Sequence, residues 1–159
     1  MHICPNETYG TPDTRVCEVP LNCTFGHFAD PFTKLCVMNC PPTQATYANN
    51  DTQKCEAECP TGLFADNSTY TCVSVCPSSP SYFGYELKCE EACPENWYAD
   101  TPTRLCVTSA NCTNATYGDP TSQTCVAVCP FNYYADVRND TKLCVQMCPE
   151  GWYADDLTK

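Results

Sequence analysis

Residues 93–106 have the sequence Cys-Pro-Glu-Asn-Trp-Tyr-Ala-Asp-Thr-Pro-Thr-Arg-Leu-Cys. The stretch opens with Cys-Pro, carries an aromatic residue followed by alanine and aspartate, and closes on a second cysteine. Stretches of this kind, which we call modules one to nine, begin at Cys4, Cys23, Cys40, Cys59, Cys76, Cys93, Cys112, Cys129 and Cys148. Because internal repetition governs how a chain of this type folds, the module is the unit from which we predict the fold.

The cysteine spacing also repeats on a longer scale. The two cysteines of a module are separated by 12 or 14 residues, and neighbouring modules by three or five. Adding 89 to the first seven cysteine positions gives the last seven, and the same shift carries Asn22-Cys23-Thr24 onto Asn111-Cys112-Thr113. Five modules therefore form one block. We divide the chain into residues 1–92, the first block, and residues 93–159, a second block that stops within its fourth module.

The cysteine content indicates a disulfide scaffold. The chain has 17 cysteines among 159 residues, and more than about a tenth of cysteine is typical of disulfide-rich secreted proteins. Such bonds persist in oxidising compartments, so we predict a secreted or cell-surface protein. Zinc binding is disfavoured, because there is no C-x₂-C pair and the histidines are limited to His2 and His27.

Charge and hydropathy exclude other classes. The net charge is −11, which disfavours nucleic-acid binding because phosphate contacts need basic patches. No apolar stretch approaches the ~20 residues of a membrane span, so this segment is not expected to be membrane-embedded. Residues 1–4 do not resemble a signal peptide. Either the signal has been removed or the numbering begins inside a longer chain.

Two disulfide patterns fit the spacing, since sequence does not fix connectivity. We favour pairing across each long loop, and the alternative is an interlocked pattern that joins the first cysteine to the third and the second to the fourth. Cys148 is then left over, with a partner expected past residue 159. The favoured pairs are Cys4–Cys17, Cys23–Cys36, Cys40–Cys55, Cys59–Cys72, Cys76–Cys89, Cys93–Cys106, Cys112–Cys125 and Cys129–Cys144.

The expected fold is small, disulfide-rich and mostly β or irregular, with little or no helix. Each module is too short to bury a core, so its disulfide, worth about 3 kcal/mol, must be supplemented by stacking on neighbouring modules. We predict short β-fingers closed by disulfides and arranged as an elongated tandem-repeat rod. The aromatic residue would cover its own disulfide or that of the next module.

Two recurring charged positions accompany the aromatic residue. An aspartate follows the aromatic pair in most modules, and its carboxylate should accept N–H groups of a turn. A weak calcium site at these aspartates is the less favoured alternative, because no compact ligand run is present. A basic residue stands shortly before the second cysteine in six modules and could pair with these carboxylates, although an exposed ion pair stabilises little.

The phrases Cys93-Pro94-Glu95-Asn96-Trp97-Tyr98-Ala99-Asp100 and Tyr117-Gly118-Asp119-Pro120 through Cys125-Val126 resemble the cysteine-rich repeats of ciliate and other protist surface proteins. Those repeats are in turn similar to furin-like, growth-factor-receptor cysteine-rich modules. The resemblance covers the whole chain and implies a rod of small disulfide-closed β modules at a cell surface or in a secreted matrix. The regular two cysteines per module depart from the receptor modules, so growth-factor binding is not implied.

N-glycosylation is the strongest chemical signal. Seven of eleven asparagines lie in Asn-x-Ser/Thr acceptors, namely Asn6, Asn22, Asn50, Asn67, Asn111, Asn114 and Asn139. In modules two and seven, threonine replaces the proline after the first cysteine, which is what makes the preceding asparagine an acceptor. We therefore expect N-linked glycans and, apart from the possible weak calcium, no cofactor.

No catalytic motif is present, and chain-wide regularity argues against an enzyme. We predict a structural extracellular glycoprotein of a surface coat, appendage or filament, which assembles with itself or with neighbouring copies of the repeat. The alternative is the stalk or ectodomain of a ligand-binding surface receptor. Its best candidate site is the irregular stretch Pro77-Ser78-Ser79-Pro80-Ser81-Tyr82 of module five.

Overall fold

The computed structural model describes residues 4–79, 81–138 and 141–154. The chain is a small disulfide-rich β fold, and the described residues contain no α-helix. Its strands are β1 Tyr9–Gly10, β2 Cys17–Glu18, β3 Phe28–Asp30, β4 Leu35–Val37, β5 Tyr47–Asn49, β6 Lys54–Glu56, β7 Phe64–Asp66, β8 Thr71–Val73, β9 Phe83–Tyr85, β10 Lys88–Glu90, β11 Tyr98–Asp100, β12 Leu105–Val107, β13 Tyr117–Asp119, β14 Thr124–Val126, β15 Tyr134–Asp136 and β16 Leu143–Val145. The same described residues also form short 3₁₀ helices at Pro20–Asn22, Pro42–Gln44 and Ser109–Asn111.

A module is a β-hairpin whose first strand carries the aromatic residue and whose second strand carries the second cysteine. In module two, for example, Phe28 lies opposite Val37, Ala29 opposite Cys36 and Asp30 opposite Leu35. A four-residue loop commonly joins the two strands. Hairpin loops of four or five residues are most often built around a type I turn. The predicted disulfide-closed β-finger is confirmed.

The disulfides close each finger at its base. The structure joins Cys4 to Cys17, Cys23 to Cys36, Cys40 to Cys55, Cys59 to Cys72, Cys93 to Cys106, Cys112 to Cys125 and Cys129 to Cys144. Each of these bonds spans the long loop of one module. Cys76 and Cys89 are also disulfide-bonded, whereas Cys148 carries a free thiol and is half-buried.

The chain forms two compact bodies. The first holds the described residues up to Val75 together with Glu86–Cys89, and the second holds Cys76–Tyr85 together with the described residues from Glu90 onward. The strand order in the first body is β10-β7-β8-β5-β6-β3-β4-β1-β2, and in the second it is β15-β16-β13-β14-β11-β12-β9. The division into blocks 1–92 and 93–159 rests on the sequence period and stays a prediction.

Adjacent modules within each body share one kind of strand pairing. The first strand of a module pairs in parallel with the second strand of the module that follows, so that Gly10 lies opposite Leu35 and Ala48 opposite Thr71. The first strand is therefore held on both edges, by its own partner strand and by the next module, in six cases: β1, β3, β5, β7, β11 and β13. Buried cysteines, alanines and aromatic rings fill these junctions. No helix of the described residues is long and apolar enough to cross a bilayer.

Candidate functional site

The junction between successive modules is the feature that recurs throughout both bodies. The aromatic residue of one module packs against the disulfide and the alanine of the next. Tyr47 of module three, for instance, clusters with Cys59, Ala65 and Cys72 of module four. Equivalent clusters join modules one and two, two and three, and five and six. Of the two arrangements the sequence left open, the structure shows the one in which the ring covers the next module's disulfide.

A backbone hydrogen bond fixes each junction. The N–H of the alanine or glycine that follows the aromatic residue donates to the carbonyl two positions before the next module's second cysteine. The seven bonds are 2.7–2.8 Å long and run from Gly10 to Lys34, Ala29 to Gln53, Ala48 to Tyr70, Ala65 to Leu87, Gly84 to Arg104, Ala99 to Gln123 and Gly118 to Lys142. A small side chain at the donor position allows this close approach of two backbones.

The acceptor residues of these bonds share an unusual backbone conformation. All have positive φ although none is glycine, with values of 59° at Lys34, 51° at Gln53 and 59° at Arg104. L-residues pay roughly 1 kcal/mol or more for this left-handed geometry. The turn of the hairpin requires it, because this residue is the last of the loop and stands immediately before the second strand. In module two the Lys34 N–H also donates to the Asp30 carbonyl, 3.0 Å away.

At three junctions the side chain at this position extends back over the preceding module's aromatic ring, whereas the Lys142 ammonium donates to the Cys112 carbonyl at 3.0 Å. The Lys34 ammonium lies 5.4 Å from the centre of the Tyr9 ring, and the Arg104 guanidinium lies 4.4 Å from that of Phe83. Tyr70 stacks on Tyr47 with ring centres 6.3 Å apart. Contrary to the sequence-based expectation, Lys34 and Arg104 thus pack on aromatic rings and do not pair with the aspartates. Cation–π contacts of this kind stabilise by about 0.5–2 kcal/mol.

The sequence reasoning missed this position. Its signal was present, because the residues two places before the second cysteine are long or bulky and include no β-branched residue and no proline. They are Arg15, Lys34, Gln53, Tyr70, Leu87, Arg104, Gln123 and Lys142. A β-branched side chain is particularly strained at positive φ, and proline cannot adopt it.

The buried aspartates close the hairpin turns, as predicted. Asp66 accepts hydrogen bonds from the Ser68 N–H at 2.8 Å and from the Thr69 hydroxyl at 2.7 Å. Asp30, Asp119 and Asp136 make comparable contacts within their turns. Asn49 occupies the same position in module three and accepts from the Asp51 N–H.

These contacts set the acidity of the carboxyl groups. Burial by itself would raise the pKa of Asp66, but hydrogen bonds from Ser68 and Thr69 outweigh it and hold the pKa below its usual value. The pKa values of Asp100 and Asp119 are lowered in the same way against the opposing effect of burial. For Asp136, the hydrogen bond from Arg138 is the main cause of its lowered pKa. The carboxylates therefore act as charged acceptors for turn donors.

Metal binding was the other interpretation of the aspartates. Within the residues that the structure describes, no three His, Cys, Asp or Glu side chains converge as a metal site. Asp30, Asp66, Asp100, Asp119 and Asp136 lie in separate hairpins, while Asp155 lies outside the described residues. The weak calcium site stays an untested expectation.

Six of the seven predicted glycan acceptors lie in the described part of the chain. All six are solvent-exposed, at Asn6, Asn22, Asn50, Asn67, Asn111 and Asn114. Asn139 lies outside the described residues. Asn22 and Asn111 are the last residues of two 3₁₀ helices that occupy the longer five-residue linkers. The structure thus places these six acceptors on exposed turns and linkers.

The irregular stretch of module five is held by the junction. The Arg104 guanidinium donates to the carbonyl oxygens of Pro77 and Tyr82, and the Tyr82 N–H donates to Pro77 across the turn. Pro80 lies outside the described residues. The stretch proposed from sequence as a ligand site is therefore packed against module six in its described part.

Comparison with known proteins finds no matching family model, no matching curated protein and no matching solved structure. The resemblance to protist cysteine-rich repeats and furin-like modules thus stays an expectation from sequence.

Proposed function

We propose that this chain is a non-catalytic structural glycoprotein, a repeat-built component of an extracellular coat, appendage or filament. The observation that carries the proposal is the recurrence of one junction. Every described junction repeats the same strand pairing and the same backbone hydrogen bond. A repeat array stacks through the same nearest-neighbour contacts throughout, whereas an enzyme needs one place that differs.

The disulfides and the acceptors support an extracellular location. Disulfides at this density persist outside the reducing cytosol. Six acceptor asparagines are exposed on turns and linkers, and a glycan on any of them would project into solvent. Together with the negative net charge, glycans would keep neighbouring surfaces hydrated and separate.

The receptor alternative has less support. It required an irregular place that could bind a ligand, and the stretch after Cys76 was its candidate. Because Arg104 holds the described part of that stretch through Pro77 and Tyr82, its irregularity has a packing explanation. Elsewhere in the residues that the structure describes, no stretch supplies a specific observation for a receptor site.

Electron microscopy of the native material, with an antibody against this chain as label, tests the proposal. We expect label on filaments or coat layers at a regular spacing set by whole 89-residue blocks. Glycosidase treatment should lower the mass of the secreted chain, and a chain with all acceptor asparagines changed to glutamine should show no such loss. Label confined to separate particles that bind a soluble ligand would contradict the structural role.

A further inference from the structure

Modules one and six occupy equivalent positions in the 89-residue period. One face of the module is nevertheless more exposed to solvent in module one than in module six. In module six this face is covered, with Ala99 5 % and Cys106 6 % exposed. In module one the corresponding Gly10 is half-buried, Val16 is 50 % exposed and Cys17 is exposed. We call the latter surface the leading face, and it consists of Cys4, Gly10, Arg15, Val16 and Cys17.

Module five covers the corresponding face of module six. The Phe83 ring packs on the Cys93–Cys106 disulfide and on Ala99. The Gly84 N–H donates to the Arg104 carbonyl at 2.8 Å, and Gly84 lies opposite Leu105. These contacts define what a covered face of this type looks like.

The leading face already has the backbone that such a partner needs. The φ of Arg15 is 57°, and that of Arg104 is 59°. The Arg15 N–H donates to the Thr11 carbonyl at 2.9 Å, as the Arg104 N–H does to Asp100. β2 ends the strand order of the first body, so no strand of the described residues occupies its outer edge. The face is therefore formed without a partner in place.

The side chain at the left-handed position indicates which module fits. Arginine stands there in modules one and six only, and the other modules have Lys34, Gln53, Tyr70, Leu87, Gln123 and Lys142. The Arg104 guanidinium spans the carbonyls of Pro77 and Tyr82, a turn lengthened because Phe83 follows Cys76 by seven residues rather than the usual five. Module three has the same seven-residue spacing, from Cys40 to Tyr47, but is followed by Tyr70 rather than arginine, so an arginine at this position matches the turn of module five in particular.

We propose that the leading face is a docking surface for a hairpin module of the type formed by residues 76–92. The partner's aromatic ring covers the Cys4–Cys17 disulfide, and the N–H of its following glycine donates to the Arg15 carbonyl. The Arg15 guanidinium then binds the two carbonyls of the partner's turn. One contact between modules five and six is not reproduced. Trp97 packs against Tyr85 there, whereas module one has Thr8 at the position of Trp97. The proposal rests on module geometry, and the coat function and the glycans play no part in it.

The test extends the chain by one module. A copy of residues 76–92 is joined directly before Cys4 in place of residues 1–3, which keeps the three-residue linker between cysteines. Partial reduction, alkylation and mass spectrometry then give the reduction rate of the Cys4–Cys17 disulfide. Because exchange depends on access to the sulfurs, we expect this bond to be reduced about tenfold more slowly than in the original chain.

A prefix of equal length, residues 59–75 of module four, is the matched control and should slow the reduction much less. Arg15→Ala in the chain with the 76–92 prefix should remove most of the protection. An unchanged rate overturns the proposal, and so does equal protection by both prefixes. The proposal is also overturned if the two cysteines of the added module stay unpaired or form disulfides with Cys4. A face that fits this module should favour formation of the module's own disulfide.

Discussion

The ring of Tyr98 lies so close to Gly118 that a Cβ atom on this glycine would stand 2.9 Å from the ring carbons Cδ2 and Cε2. Tyr98 belongs to module six and Gly118 to module seven, so the contact crosses a junction. The side chain of Ser109 would be equally near. The absence of a side chain at Gly118 is therefore a packing requirement.

Gly118→Ala should destabilise this junction by about 1–3 kcal/mol, the usual cost of overpacking. Gly10→Ala is the matched change in module one, where the only tight contact of the new Cβ atom would be the end of the Leu35 side chain at 3.1 Å, with Cys4 Sγ and the Lys34 carbonyl oxygen at ordinary distances of 3.7 and 3.8 Å. It should cost much less, since that side chain can move. Thermal unfolding with the disulfides intact measures both variants. Equal losses would show that the Tyr98 contact does not matter.

The left-handed position predicts a difference between two substitutions of Gln123, whose φ is 53°. Gln123→Gly should be close to neutral, because relief of about 1 kcal/mol of backbone strain is offset by greater freedom of the unfolded chain. Gln123→Val should destabilise by about 1–2 kcal/mol, since a β-branched residue is poorly tolerated there. Denaturant unfolding of the two variants provides the comparison, and a more stable valine variant would refute the turn geometry.

Acidification should weaken the hairpin turns. The pKa of Asp66 is lower in the folded chain than its usual value, because its hydrogen bonds outweigh the effect of burial. The contribution of the ionised Asp66 carboxylate to folding stability is fully present at pH values above the ordinary carboxyl pKa of about 3.9. It is lost as the pH falls through the lower pKa of the folded state. The melting temperature should therefore decrease as the pH is lowered below about 4.

Asp66→Asn isolates this effect, because Asn49 shows that an amide fits the same turn. The melting temperature of the variant should decrease less steeply as the pH is lowered below about 4. Circular dichroism during heating measures it. An acid dependence identical to that of the original chain would mean that Asp66 is not among the groups responsible.

Much of the fold could be predicted from sequence because the cysteine period is so regular. The two 14-residue loops show where this reasoning stops. In module three the extra residues precede the strand and form the 3₁₀ helix Pro42–Gln44, whereas in module eight they follow β15, which ends at Asp136. Cysteine spacing measures the length of a loop and carries no information on where within it residues are added.

The junction was only partly predictable. The ring of each module had to cover a disulfide, but local sequence does not say whose, because the choice depends on which strand edge the next hairpin occupies. The role of Lys34 and Arg104 was also hidden, since a basic residue near an aspartate in sequence suggests an ion pair. Positive φ at both residues turns the side chains toward the preceding ring instead.

Thr113 has two roles that single substitutions can separate. It completes the acceptor Asn111-Cys112-Thr113, and its hydroxyl donates to the buried Asp100 carboxylate at 2.8 Å. Thr113→Val should remove the glycan at Asn111 and destabilise by about 1–3 kcal/mol, because Asp100 loses a donor. Asn111→Gln should remove the glycan alone, and Thr113→Ser should keep both properties. Glycopeptide mass spectrometry and thermal unfolding give the two readouts, and a fully stable valine variant would contradict the Asp100 contact.

The most direct test of the account is the effect of Tyr47→Ala on individual disulfides. Tyr47 belongs to the module closed by Cys40–Cys55 but packs on the Cys59–Cys72 bond of the next module. Partial reduction followed by alkylation and mass spectrometry should show the Cys59–Cys72 bond reduced several-fold faster, with Cys40–Cys55 changed little. Phe25→Ala serves as the control, because Phe25 is 97 % exposed, and it should alter neither rate. Selective acceleration of Cys40–Cys55 reduction, or no change at either bond, would contradict the junction on which the account depends.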